Sequence, residues 1–324
     1  MTHAAVGEYA ASRGSSGRER VAMSGTVLVG EACCLAAALC WAVAVQLFRR
    51  PITEYGANAV NLAKCVIAAA LLVASTLVMG QLPALLSASS RALVLVAISG
   101  LIGMTLGDTA LFASVDRLGV HRALLMQCLA PLFTAAIAVG LYHERLGPFQ
   151  LLGGVVILGG VLLVILGRPA DEAGSSPERL DAAGLVYGVV AAFGQGTGVV
   201  LAKAGMEEIP FLAASALRLT TAAMGLLVVM PAVGRGAAIG RVLGSGRALK
   251  RLLGPTVLGT YVAILLMMAG VAYAPASIAA VLLAMPPVFS LFIESRVIGR
   301  RITARGLLGT MLAVAGVALL ATLG

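Results

Sequence analysis

An internal duplication constrains this chain more than any other feature. Gly103 to Val161 matches Gly259 to Val317 without a gap, at a constant offset of 156. Gly103 pairs with Gly259, Pro131 with Pro287, Phe133 with Phe289, Gly153 with Gly309 and Gly160 with Gly316, and a shared Leu-Leu-Gly at 151–153 and 307–309 fixes the register. Upstream the offset becomes 154, so that Gly30 pairs with Gly184, Arg49 with Lys203 and Lys64 with Arg218. Two copies of one unit imply a two-fold object with a seam between its halves. In a membrane protein built this way, that seam is where substrates bind.

The unit is a membrane unit. The chain has 324 residues, of which 60% are hydrophobic and only 11% charged, and its mean hydropathy is +1.01. That leaves too little polar surface to cover a soluble globule. A bilayer core about 30 Å thick takes about 20 helical residues, and ten such runs fit: 27–48, 57–79, 92–114, 119–141, 147–167, 182–203, 212–233, 253–273, 276–295 and 303–323. The predicted fold is an all-α membrane protein of ten transmembrane helices. Residues 1–26 read as a disordered polar tail, 27–167 as a first five-helix repeat, 168–181 as a linker and 182–324 as a second five-helix repeat. Five is odd, so the second copy enters the bilayer upside down and the repeats are inverted. The first run, Val27 to Phe48, is too long for a signal-peptide core and reads as a retained span.

Composition also excludes function classes. The formal charge is +9, but the basic residues sit in short clusters between apolar runs, as topogenic charges do, and the basic stripe with interleaved aromatics of a nucleic-acid binder is absent. The five cysteines (Cys33, Cys34, Cys40, Cys65, Cys128) fall inside apolar runs without metal-ligand spacing, and His3, His121 and His143 are scattered, so neither a metal nor a cofactor is implied. There is no HExxH, no GxSxG and no pair of intramembrane aspartates, so no enzyme is expected. The Gly194-Gln195-Gly196-Thr197-Gly198 run follows no strand and reads as close helix packing, not as a phosphate loop.

The end of each copy carries a recurring pattern. In the first it is Leu129-Ala130-Pro131-Leu132-Phe133, then His143-Glu144-Arg145-Leu146, then Leu152-Gly153 and Gly160-Val161-Leu162-Leu163; in the second it is Met285-Pro286-Pro287-Val288-Phe289, then Arg300-Arg301-Ile302-Thr303, then Leu308-Gly309 and Gly316-Val317-Ala318-Leu319. This resembles the EamA-type domain of the drug/metabolite transporter superfamily, over nearly the whole chain. The resemblance implies a ten-helix carrier that moves a small organic metabolite by alternating access, as an exporter or exchanger, in the plasma (inner) membrane. The family glutamate at the start of the fifth span is Glu144 in copy one but Arg300 in copy two, so its interaction is not symmetric here. The resemblance also implies cytoplasmic termini. The Lys/Arg distribution argues the reverse, because Arg13, Arg18, Arg20, Arg91, Arg145 and Lys203 on the side of the termini are outnumbered by the basic residues opposite.

Ionisable groups at bilayer depth cost about 2.5–3.5 kcal/mol on insertion scales, so each needs a partner, a cavity or a use. Lys64 and Arg218 hold equivalent places in the second span of each copy. They read either as a cationic pair lining a central cavity for anionic or zwitterionic substrates, or as side chains snorkelling to the interface. Asp108 follows Gly100, Gly103 and Gly107 on one helical face and has no acidic twin, since Ile264 holds its equivalent position. It is the candidate for proton or other ion coupling, with a structural acid bonded to helix backbone, Thr105 or Thr109 as the alternative. Trp41 and Gln195 are equivalent, near mid-membrane, and together with Tyr261 complete the predicted cavity wall. Glu31 lies too near its span end to match the coupling acid of small multidrug-resistance relatives, and Glu294 reads as an interfacial partner of Arg296 or Arg300. Pro131, Pro286 and Pro287 remove backbone donors inside spans four and nine and are the candidate hinges. The expected partners are the lipid bilayer and a small-molecule substrate. A second function class, a non-transporting structural or sensory membrane protein on the same fold, would place these side chains against headgroups or dry seams.

Overall fold

The computed structural model describes residues 17–142, 147–166, 181–274, 276–299 and 302–322. Among these residues ten helices are long and apolar enough to cross a membrane, and there is no strand. They are α1 (Gly17–Tyr55), α2 (Ala57–Val78), α3 (Ser90–Leu118), α4 (120–142), α5 (Pro148–Ile165), α6 (Ala182–Gly205), α7 (Phe211–Ala232), α8 (Gly246–Tyr273), α9 (276–298) and α10 (Ala304–Thr322). In hydrocarbon every backbone N–H and C=O must be paired within the segment, which is why these apolar runs are helices. Large side chains such as Val155, Val228 and Val271 stay exposed on the outer surface, where lipid is their solvent.

Three boundaries move from the sequence expectation. The helical backbone starts at Gly17, ten residues before the predicted first span, because Arg18, Glu19, Arg20, Ala22 and Met23 are good helix formers that continue α1 beyond the apolar run. At its other end α1 continues through Pro51 to Tyr55. The polar stretch before α8 also folds: Ala237–Leu243 is a short helix, and Gly246 opens α8 with Ser245 capping through the Ala248 N–H. His143, Glu144, Arg145, Arg300, Arg301 and nearly all of the predicted linker lie outside the described residues.

The two copies do not sit side by side as separate bundles. α3 of copy one packs on α6 and α7 of copy two, α1 on α8 and α9, α2 on α7, and α5 on α10. Glycines set these contacts. On the α5/α10 face a Cβ at Gly153 would strike the Gly316 backbone, and one at Gly160 would strike the Gly309 carbonyl. Gly153 is equivalent to Gly309 and Gly160 to Gly316, so the contacts are reciprocal, as a two-fold axis between the copies requires. The contacts also run antiparallel, as inverted copies must. The same reciprocity relates Gly103, packed on Gly198, to its equivalent Gly259, packed on Ala44.

Four spans are interrupted, in equivalent pairs. α3 is a π-helix over Gly100–Asp108 and α8 over Val257–Val262, and the second range is equivalent to 101–106. Wide turns of this kind occur mostly at functional sites. Pro131 cannot donate to the Gln127 carbonyl, and α4 passes through a 3-10 turn at Gln127–Leu129. In α9 the equivalent break falls before Pro286 and Pro287, where the Met285 N–H turns back to the Leu282 carbonyl at 3.2 Å.

Candidate functional site

The two π segments border a cavity of about 280 Å³ at the seam, lined by Trp41, Lys64, Asp108, Gln195 and Arg218. Five of the six predicted cavity residues therefore converge, from α1, α2, α3, α6 and α7. The sixth does not. Its neighbours Gly259 and Thr260 line the cavity, but Tyr261 points its hydroxyl to Ser75 of α2 at 2.7 Å. Ser75 spends its own hydrogen on the Leu71 carbonyl, 2.9 Å away, so Tyr261 is the donor. The π segment turns each residue through a smaller angle than an α-helix does, which shifts Tyr261 onto α2 while Thr260 faces inward.

Lys64 and Asp108 form an ion pair with a hydrogen bond from Lys64 Nζ to Asp108 Oδ2. The Lys64 ammonium also lies 5.4 Å from the Phe112 ring centroid, within cation–π range. Asn61 sets this geometry. It is fully buried and donates both amide hydrogens across the helix seam, to the Met104 carbonyl and to Thr109 Oγ1, each at 2.8 Å. One side chain thus clamps α2 onto the π segment and holds Asp108 beside Lys64. Sequence reasoning passed over Asn61. An amide one helical turn before a lysine in an apolar span was the available signal.

The reading of Lys64 and Arg218 as an equivalent cationic pair survives only in part. Both border the cavity, but Lys64 is neutralised by Asp108, whereas the Arg218 guanidinium makes no hydrogen bond or ion pair among the described residues and its Nε is buried without a partner. Gly103 makes room for the guanidinium: a Cβ there would stand 3.3 Å from Arg218 Nη2. The structural alternative for Asp108, bonding to Thr105 or Thr109, is replaced by other partners. Thr105 donates to the Ala222 carbonyl at 3.1 Å, and Thr109 accepts from Asn61.

Trp41 and Gln195 also line a second cavity of about 520 Å³ that runs past all three hinge candidates, Pro131, Pro286 and Pro287. This space separates the second half of α4 from the first half of α9. At the opposite end of the same two helices, Val120–Met126 packs on Pro286–Ile293. His121 organises that contact. Its backbone N–H donates to Glu294 Oε1 at 3.1 Å, its Nδ1 lies 3.1 Å from the Pro287 carbonyl, and its Nε2 lies 3.5 Å from Thr310 Oγ1 of α10. Glu294 is 5% exposed and faces α4 from the buried side of α9. Neither His121 nor Glu294 has a twin, since Ser277 and Ala138 hold the equivalent positions.

Two titratable groups outside the spans join the copies at the surface. Asp181 caps α6 through the Gly184 N–H, which is the main reason its carboxyl is held below the ordinary range; Arg117 of α3, 3.0 Å away, adds to it. Glu208 is lowered likewise by the Ser89 N–H and hydroxyl ahead of α3, both at 2.9 Å.

Comparison with known proteins agrees with this architecture. An uncharacterized transporter of Archaeoglobus fulgidus is 26% identical over 159 residues, which is 49% of this chain and 53% of that relative. The match thus spans about half the length of each. A solved structure titled only "Crystal structure of protein" superposes with a TM-score of 0.60 over 91% of this chain and 96% of the other, at 19% identity, and so shares the fold. The sequence profile of the EamA-like transporter family matches twice, over residues 28–166 and 182–322, one match for each five-helix copy. With both copies matched and the ten spans in place, the chain belongs to the EamA-like transporter family.

Proposed function

We propose that this protein is a secondary carrier that exports or exchanges a small organic metabolite by alternating access, with the seam cavity as its substrate site. The observation that supports this most is the convergence of charged and polar side chains from both copies on one cavity between interrupted helices. A purely structural protein has no use for ionisable groups at that depth, where each is costly. Trp41, Lys64, Asp108, Gln195 and Arg218 form the substrate wall, with Tyr261 bracing α8 on α2 behind it.

In this reading α4 and α9 are the moving elements. They are closed at the His121–Glu294 end and separated at the other, and the broken backbone at Gln127–Leu129 and before Pro286 lets each half tilt without sacrificing a full helical ladder. Asp108 is the coupling group: its protonation would release Lys64 and change the charge of the cavity. The membrane is the plasma (inner) membrane.

The test is counterflow in proteoliposomes, with unlabelled metabolite trapped inside and the same labelled metabolite outside. A carrier accumulates label transiently and saturably. Asp108→Asn is expected to abolish the pH dependence of net uptake while exchange persists, because exchange moves no net protons. Binding of a metabolite to the cavity with no counterflow at any pH would favour the non-transporting reading.

A further inference from the structure

Among the charged groups that line the seam cavity, Arg218 alone lacks an ionic partner. Lys64 and Asp108 cancel, so the described lining carries one net positive charge, and it sits on a guanidinium whose Nε is buried and unpaired. A buried hydrogen-bonding group left unsatisfied is costly, and a charged one more so. No acid among the described residues pairs with it, although the position equivalent to Asp108 was available: it holds Ile264, which also borders the cavity.

We infer that Arg218 anchors a small organic monoanion, a carboxylate with a compact apolar body. This rests on the seam cavity being the substrate site. The planar guanidinium fork matches two carboxylate oxygens. Ser215, one turn away on α7, is 5% exposed and faces the same space, so its hydroxyl is placed to share the head group. Trp41, Phe112, Met104 and Ile264 supply the apolar wall. The volume, about 280 Å³, is just under the roughly 300–1,000 Å³ of ligand pockets, which suits a small organic body. An organic cation would meet an uncompensated positive charge. A dianion would leave the cavity with a net negative charge unless Asp108 were neutralised.

Trp41 is the only tryptophan in the chain and lines the cavity, so its fluorescence reports occupancy. The purified full-length protein in neutral detergent is titrated with cyclohexanecarboxylate, with cyclohexanecarboxamide and with cyclohexylmethylamine at fixed ionic strength. The expected result is a saturable change for the carboxylate and at least tenfold weaker responses to the other two. Arg218→Gln should weaken carboxylate binding at least tenfold, and Arg218→Lys should recover part of it. Equal responses to carboxylate and carboxamide overturn the proposal on the unsubstituted protein alone, even if Arg218→Gln does not fold. A response confined to the amine or amide also overturns it, yet leaves the cavity standing as a substrate site. Counterflow without any Trp41 response would instead overturn the cavity assignment itself. If phosphatidylglycerol displaces the signal and soluble carboxylates give none, the cation serves a lipid head group and the substrate assignment fails.

Discussion

Copy one and copy two of this EamA-like protein agree in their scaffold and differ in their chemistry. Gly103 and Gly259, Gly160 and Gly316, Pro131 and Pro287, and the two π segments stand at equivalent positions and perform equivalent packing. At the cavity the equivalence fails: Asp108 is replaced by Ile264 at the equivalent position and Trp41 by Gln195. The difference follows from what each position must satisfy. A close helix approach excludes a Cβ wherever the two-fold axis repeats it, so both copies stay constrained. Cavity-lining side chains carry no such reciprocal backbone contact, so they are free to diverge.

The largest effects should come from breaking the shared scaffold. Gly160→Val and Gly316→Val both push a branched side chain into backbone, at Gly309–Ala313 and at Gly153–Ile157 respectively, and each is expected to cost at least the roughly 1–3 kcal/mol of core overpacking. The two variants should lose monodisperse yield to the same degree. Gly159→Val, where nothing lies within 4 Å of the added carbon, should match the parent. Unequal losses at 160 and 316 would show that the packing is less symmetric than the contacts indicate.

Next comes the ion pair that only copy one has. Lys64→Met strands the Asp108 carboxylate and should destabilise the protein by about 3–5 kcal/mol, as removal of one partner of a buried pair does. Adding Asp108→Leu should restore most of the loss, because the charge and its orphan then go together. Thermal melts of the two singles and the double give the coupling directly. Additive losses would mean that Lys64 and Asp108 do not act as a pair.

The smallest effect belongs to the surface contact between the copies. Asp181→Asn keeps an oxygen to cap α6 and loses the ion pair with Arg117, which is exposed, so only a slight lowering of the melting temperature is expected. Because the folded carboxyl is held below its ordinary 3.8, its contribution is fully present above that pH and disappears as pH falls through the lowered value. The parent and Asp181→Asn should therefore converge in strong acid. A gap that persists there would place the effect elsewhere.

The scaffold was legible in the sequence because it is written twice. Hydropathy located ten spans, and the 156-residue offset fixed which glycines and prolines correspond. The helical start at Gly17 was missed because polarity was read as disorder, although those residues favour helix. The cavity was legible through its rare residues: charges and a tryptophan at depth stand out against apolar neighbours, and five of six converged. Tyr261 failed because a π turn rotates a side chain away from where 3.6-residue periodicity puts it, and nothing in Val257–Val262 announces the wider turn. Asn61 and the His121–Glu294 contact escaped for another reason: their partners are carbonyls, hydroxyls or a backbone N–H from other helices, which no local pattern records.

The central claim is that copy two leaves its cation uncompensated because it lacks the acid of copy one. Ile264→Asp tests this most directly, since it supplies a carboxylate to the same cavity without altering Arg218. Titration of cyclohexanecarboxylate against Trp41 fluorescence should then show binding weakened at least tenfold, in a protein that remains folded by thermal melt. Carboxylate binding unchanged in a folded Ile264→Asp protein would contradict the account.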